Sequence, residues 1–299
     1  MKIVVPQELD LNKEEKERLN KLGEVTYYDH YAATPEEWLK RCQGADIICT
    51  GRFGFTEKVY ELENVFISLP LVGTGFLDLE KLKARNIKVA RCPGCNKEAV
   101  SEWIIAMILN LFRGLPNDIN NLEVTDRPEP TKGLTGKKIT ILGKGNIGSR
   151  VGKICKALEM KVKYFKRGDD LIKSIKKADV VVNTLSLNPS TVGLLNKNFF
   201  NSFKPGSYFI TVTSEKIYDL EELLEALDKN ILAGLANDCG SSGFADVSDP
   251  FYVRLAKHPK VLATPHIAHH TDVTARNGNK IMIDNIEAYL KGEPINLIY

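Results

Sequence analysis

Short apolar runs alternate with longer stretches of helical period along almost the whole chain. In the first third the runs fall at Lys2 to Val5, Glu24 to Tyr28, Asp46 to Cys49, Val65 to Leu69 and Lys88 to Ala90. Short apolar runs of this kind read as strands. The first segment between them, Asn12 to Leu22, is charged on one side and carries Leu19 and Leu22 on the other, as a helix lying on a sheet would. Alternating strands and helices predict a parallel sheet covered on both faces, because each crossover helix packs back on the sheet it left.

A second unit with the same pattern begins at Lys138. Its later strands are expected near Val162 to Phe165, Val180 to Asn183, Tyr208 to Val212, Leu232 to Ala236 and Val261 to Thr264. Between the two units, Val100, Trp103, Ile104, Met107, Ile108 and Leu111 recur at helical spacing, predicting a helix that bridges the halves and ends near Arg113 to Pro116. Asn117 to Gly136 is polar, contains Pro128 and Pro130, and reads as a connection or as an arm toward a second subunit. The last segment, Thr271 to Leu290, reads as one long helix with Ile281, Ile283, Ile286 and Leu290, expected to return and pack on the first unit. The predicted fold is therefore α/β, two doubly wound parallel-sheet domains with a cleft between them. Residues 1–95 with 272–299 would form one domain and 96–271 the other. Ligands in such folds bind at the carboxyl ends of the strands.

One stretch has a specific chemistry. Ile139 to Leu142 is a buried-strand run, Gly143, Gly145 and Gly148 follow at G-x-G-x-x-G spacing, and Ile147, Val151, Ile154 and Leu158 continue at helical period. The first glycine permits the turn, the second lets backbone approach a pyrophosphate, and the third lets helix and strand pack closely. Bare amides at the helix start face the anion. This is a dinucleotide-binding turn. The first unit has no such fingerprint; its Gly73 to Gly75 is a turn after a strand that lets another group approach the backbone.

The adenosine end of the cofactor is read from the next strand. It ends in Lys166 and Arg167, and cationic donors at that point suit a 2′-phosphate, so NADP(H) is favoured over NAD(H). Asp169 and Asp170 follow and are the acids that would instead meet a ribose hydroxyl.

Composition narrows the class further. At 299 residues, 43% hydrophobic and 26% charged, the chain is an ordinary globular protein long enough for two domains. A net charge of +3 gives no reason to expect a nucleic-acid or membrane partner. No segment has the length of a membrane span and MKIVVP reads as a strand, so a cytoplasmic location is expected. Six cysteines in a chain this long do not suggest a disulfide framework, and Cys92 and Cys95, in C-P-G-C, read as two reduced thiols.

Over nearly its full length the chain resembles the D-isomer-specific 2-hydroxyacid dehydrogenases. The matching stretches are LVGTGFLDLEKLKARNIKVARCPGCNKEAVSEW, GKKITILGKGNIGSRVGKICKALEMKV, ADVVVNTLSLNPSTVGLLNKNFFNSFKPGSYFI and ATPHIAHHT. The resemblance implies two Rossmann- or flavodoxin-like domains, a homodimer formed through the cofactor domain, and hydride transfer between a nicotinamide and a small 2-oxo or 2-hydroxy acid. It places Gly143, Gly145, Asn146, Ile147 and Gly148 at the pyrophosphate, Leu185 and Ser186 on the loop over the cofactor, and Asp238 at the nicotinamide carboxamide.

The family's proton donor corresponds to His266. Its substrate-gripping arginine does not recur: the family's N-T-A-R-G reads Thr211 to Glu215 here, with Ser214 at the arginine's position. The family's glutamate falls on Gly243, with Asp246 and Asp249 as gapped alternatives. Arg52, directly after the third strand, is the candidate replacement cation, followed by Lys97 and Asn96 at the start of the bridging helix, where an anion is favoured. His269 and His270 lack ligand partners at metal spacing, and no metal is expected. Two other readings stay open beside an oxo-acid reductase: a dinucleotide-binding protein without catalysis, and a reductase of carbonyl compounds that lack a carboxylate, for which a buried unpaired arginine would be costly.

Overall fold

The computed structural model describes residues 1–114, 131–238 and 245–299. The described chain divides into two units, Met1–Asn96 with His270–Tyr299, and Lys97–His269.

The first unit is built on five parallel strands, β1 (Lys2–Val5), β2 (Glu24–Tyr27), β3 (Ile47–Cys49), β4 (Phe66–Ser68) and β5 (Lys88–Ala90), in the order β2-β1-β3-β4-β5. Side chains alternate across the pleat, so Ile48, Ile67 and Val89 enter one apolar layer and Ile47, Cys49, Phe66 and Ala90 the other. The first layer is filled by Trp38, Phe55 and Leu82, the second by Leu19 and by Met282, Ile283 and Ile286 of the helix Asp272–Leu290. That helix is seated by more than apolar contact. Ser68 donates to the carbonyl of Met282 at 3.0 Å, and the rings of Phe66 and Tyr289 stack with centroids 4.0 Å apart. The helix Lys13–Asn20 starts where its sequence directs, with Asn12 and Glu15 forming a reciprocal capping box.

The second unit has six parallel strands, β6 (Lys138–Leu142), β7 (Lys161–Phe165), β8 (Val180–Asn183), β9 (Ser207–Thr211), β10 (Leu232–Asp238) and β11 (Val261–Thr264), in the order β11-β10-β9-β8-β6-β7. The helix Lys97–Arg113 belongs to this unit and packs Val100, Ile104, Ile108 and Phe112 against Ile139, Ile141, Val182 and Ile210. The opposite face is closed by Phe199, Phe200 and Phe203 on Phe209, with Leu223 and Leu227. Two parallel sheets, each covered on both faces, give the predicted α/β class.

In both sheets the chain reverses direction beside its first strand. The reversal lies between β1 and β3 in one and between β6 and β8 in the other. Loops leaving such neighbouring strands diverge and open a crevice at their carboxyl ends. In the first unit these are the loops beginning at Pro6 and Thr50; in the second, those beginning at Gly143 and Thr184.

Candidate active site

The glycine turn stands where the reversal requires it. Gly143 has φ +95°, a conformation that costs glycine nothing, and its amide donates to Phe165 O at 3.1 Å. Thr184, from the facing loop, donates its hydroxyl to Leu142 O at 2.9 Å and so braces the turn from the other side. A β-carbon on Gly148 would lie 2.3 Å from Gly143 O and 2.8 Å from the Thr184 hydroxyl, so helix and turn meet backbone to backbone. A β-carbon on Gly145 would meet nothing within 4 Å.

Gly145 caps the helix Asn146–Ala157 without a side-chain bond, and no acid lies in the first turn. The first helical bond runs from Ser149 N to Gly145 O, leaving the amides of Asn146, Ile147 and Gly148 outside the ladder. An open approach at Gly145, uncapped amides and a positive dipole end make a cradle for a diphosphate. The residues present therefore fit the nicotinamide dinucleotide that the motif implies.

At the end of β7, Lys166 and Arg167 are exposed, and neither has an ion-pair partner among the described residues. The neighbouring acids are engaged locally. Asp169 accepts the amide of Lys166 at 2.8 Å, and Asp170 caps the helix Leu171–Ile175 through the amide of Lys173 at 2.9 Å. On the other side of the turn, Leu185 is half-buried with its amide on Asn183 Oδ1, while Ser186 is exposed and its carbonyl accepts from Thr191 and Asn188. The loop carrying Leu185 and Ser186 is thus held by its own side chains.

Asp238 ends β10 and is 7% exposed. The strand register sets it opposite Thr264, at the end of β11. Its Oδ1 accepts from the Thr264 hydroxyl at 2.6 Å and the Ile267 amide at 2.8 Å; its Oδ2 accepts the Ala268 amide at 2.9 Å. These bonds clasp both ends of the turn that carries His266. That histidine is exposed, lies at φ +55° and sets its ring against His269 with centroids 5.3 Å apart. Left-handed backbone costs a residue with a side chain roughly 1–2 kcal/mol, and three hydrogen bonds to a buried carboxylate are ample to hold it. Each carboxylate oxygen offers two acceptor sites, so one on Oδ2 remains beyond these bonds. This clasp is the part of the site that reading the residues alone does not reveal, since it depends on the β10 to β11 register.

Ser214 is half-buried and caps the short turn Glu215–Ile217, its hydroxyl accepting the Lys216 amide at 3.3 Å. The strand leading to it is pinned by Asn183, which donates to the hydroxyls of Thr211 at 3.2 Å and Thr213 at 2.7 Å. Gly243, with residues 239–242 and 244, lies outside the described residues, as do residues 117–130 of the expected arm. Asp246 accepts from Ser248, and Asp249 caps the helix Pro250–Ala256, so both have local roles.

In the first unit, Arg52 follows β3 at the reversal point. It is exposed, and its guanidinium lies 4.4 Å from the centroid of the Phe76 ring. Its loop is fixed from below, where Thr50 accepts from the Trp38 indole at 3.0 Å and Gly51 leaves room for Gln7, whose Nε2 would lie 2.7 Å from a β-carbon there. Gly73 and Gly75 would each carry a β-carbon into open space. Lys97 lies 3.5 Å from Glu98. Cys92 and Cys95 are free and buried; the Cys92 thiol donates to Leu69 O and Gly278 O, and burial pushes its titration above the ordinary thiol range. Among the described residues no group of three His, Cys, Asp or Glu is arranged to hold a metal, and no helix is long and apolar enough to cross a membrane.

Comparison with known proteins shows the family. A family described as D-isomer specific 2-hydroxyacid dehydrogenase, NAD binding domain, matches residues 105–268, more than half of the chain. The chain is 26% identical to the hydroxypyruvate reductase of Blautia hydrogenotrophica, over 100% of this chain and 99% of that one. It is 29% identical to the D-3-phosphoglycerate dehydrogenase of Escherichia coli, over 87% of this chain and 68% of the relative. Among solved structures, the TT0316 protein of Thermus thermophilus matches with a TM-score of 0.78 at 26% identity, both chains covered completely. An acyclic imino acid reductase in complex with NADPH and D-Arg matches with a TM-score of 0.83 over the whole of both chains, a likeness of fold at 22% identity. With a nicotinamide cofactor-binding domain of this kind, the chain is an oxidoreductase and belongs to the D-isomer specific 2-hydroxyacid dehydrogenase family.

Proposed function

We propose that the chain is an NADP(H)-dependent reductase of small 2-oxo acids, with His266 as proton donor and Arg52 as the carboxylate-binding cation. The observation that carries this reading is the Asp238 clasp, which presents His266 to solvent in a fixed turn of the same unit that holds the glycine cradle. Preorganisation of this kind is what a proton-transfer group requires. The amides of Asn146, Ile147 and Gly148 would hold the diphosphate, and Lys166 and Arg167 a 2′-phosphate. Asp169 and Asp170 each turn one carboxylate oxygen to a local backbone amide, which ties them to the turn after β7 beside the two cations. The remaining acceptor site of Asp238 suits a carboxamide N–H, and Leu185 and Ser186 would cover the bound group.

When bound, the nicotinamide supplies or accepts the hydride. His266 delivers the proton to the carbonyl oxygen in reduction and removes it in oxidation. Arg52, stacked on Phe76 and without an ion-pair partner among the described residues, would grip the carboxylate bidentately. The hydroxypyruvate reductase relative supports a short, hydroxylated substrate. We further infer a homodimer located in the cytoplasm; sedimentation of the purified chain checks the first and cell fractionation the second.

The test is NADPH consumption with glyoxylate, hydroxypyruvate, pyruvate and longer oxo acids, in wild type and in His266→Ala. Turnover in the wild type and its loss in the variant are expected; absence of turnover on every acid would favour a dinucleotide-binding protein without catalysis. One observation favours a different substrate: Ser214, a capping residue, stands where the family has its arginine. Activity on uncharged aldehydes or ketones but not on oxo acids would establish that second reading.

A further inference from the structure

The second unit has a pocket at the edge of its sheet opposite the glycine turn. It encloses about 260 Å³ and is lined by Lys132, Lys137, Asp179, Lys204, Pro205 and Gly206. Lys137, Asp179 and Gly206 are the residues immediately before β6, β8 and β9, which are neighbours in the sheet. Because all the strands are parallel, this is the amino-terminal edge; Gly143, Thr184 and Val212 follow the same strands at the carboxyl-terminal edge.

The pocket holds one carboxylate and three ammonium groups. Asp179 is already satisfied: it accepts the Lys138 amide at 2.8 Å on Oδ2 and the Lys204 ammonium at 2.5 Å on Oδ1. Burial raises its titration, but the Lys138 amide and the charges of Lys204 and Lys137 outweigh that and leave it below the usual carboxylate range. Lys132 donates to Gly206 O at 2.9 Å and lies 4.5 Å from the centroid of Tyr208, an arrangement that fixes the ammonium without neutralising it. An ammonium has three donors, and that bond uses one. Neither Lys132 nor Lys137 has an ion-pair partner among the described residues. Among the described residues the surplus is therefore two positive charges, on side chains anchored or half-buried at the pocket.

Like charges around one concavity repel, and a ligand of opposite charge relieves the repulsion while gaining charge-assisted hydrogen bonds. A dianion with several oxygen acceptors matches both the surplus and the donors. The volume lies below the roughly 300–1,000 Å³ of sites for drug-sized ligands, which selects a compact anion over a dinucleotide. We propose that this pocket binds a phosphate dianion, either orthophosphate or a phosphate monoester of a few carbons. The proposal is independent of the enzymatic reading, since no residue of the pocket belongs to the cofactor or proton-transfer groups.

The test titrates the full-length protein with inorganic phosphate and, separately, with glycerol 3-phosphate, at constant ionic strength made up with chloride, by calorimetry and thermal unfolding. Saturable binding is expected for at least one of the two, and the tighter one identifies the source. Lys137→Gln should weaken it about tenfold, and Lys132→Gln with Lys137→Gln further still, as the loss of charged hydrogen bonds implies. A Lys166→Gln, Arg167→Gln protein controls for the nucleotide site and should bind as wild type. Circular dichroism of the variants without phosphate should match wild type; the single Lys137→Gln variant, which leaves the Lys132 bond to Gly206 in place, carries the test if the double one does not fold. Flat titrations of both anions against chloride, or loss of binding in the Lys166, Arg167 protein with none in the pocket variants, would overturn the proposal.

Discussion

Asp238 accepts the amide hydrogen of Ala268 at 2.9 Å, tying the end of one strand to the far side of the turn that carries His266. With the Thr264 hydroxyl and the Ile267 amide on its other oxygen, the carboxylate closes the turn around a histidine in left-handed backbone. Asp238→Ala leaves two backbone donors without an acceptor, at about 1–3 kcal/mol each where they are buried. The expected outcome is a fall in unfolding temperature and loss of turnover at saturating substrate by about a hundredfold or more. Far-UV circular dichroism with single-turnover kinetics measures both; unchanged turnover would remove the positioning role.

The proposed preference for NADP(H) is tested at Lys166 and Arg167. Replacing Lys166 and Arg167 by glutamine should raise the KM for NADPH by about ten- to a hundredfold, as expected from losing two charge-assisted contacts to a phosphate. The KM for NADH should stay within about twofold, since no ribose contact is attributed to these side chains. Parallel loss with both cofactors would indicate a structural role, and a native preference for NADH would reverse the assignment.

Gly148→Ala tests the cradle. Its β-carbon would stand 2.3 Å from Gly143 O, and backbone on both sides has to move. The cost is expected to be about 1–3 kcal/mol in stability, with weaker dinucleotide binding read by nicotinamide fluorescence. Gly145→Ala meets open space at the same turn and should be far milder in stability.

A pH effect is expected in the first unit. Asp284 is partly buried, which raises its titration, but hydrogen bonds and charge from Lys280 and Arg18 outweigh this and hold it below the ordinary aspartate range. A depressed folded value contributes stability above the unfolded pKa, and that contribution disappears as pH falls through the folded value, below about 4. Asp284→Asn should therefore lower the unfolding temperature at neutral pH and lessen the drop on acidification; identical acid profiles would exclude the effect.

Local pattern carried most of the fold. Lys2–Val5, Lys88–Ala90, Val180–Asn183 and Val261–Thr264 are strands at the predicted residues, and the last helix begins one residue after its capping Thr271. Buried strands and capped helices are set by neighbours in sequence. The glycine turn was legible for the same reason, because strand, turn and helix are contiguous there. The Asp238 clasp was not. It follows from pairing Asp238 with Thr264, 26 positions apart, and β10 extends two residues beyond its apolar run to make that pairing. Nor could spacing show that Asp169 and Asp170 serve the turn after β7, since an aspartate near a basic pair reads equally as a cap or as a ribose ligand.

The helix Asp272–Leu290 supplies one face of the first unit's core, although the second unit's residues intervene in the chain. During synthesis, residues 1–96 leave the ribosome with Phe66, Ile47 and Cys49 still waiting for Met282, Ile283, Ile286 and Tyr289. That layer of the amino-terminal sheet therefore cannot be sealed until the chain has been made through Tyr289, after every residue of the second unit.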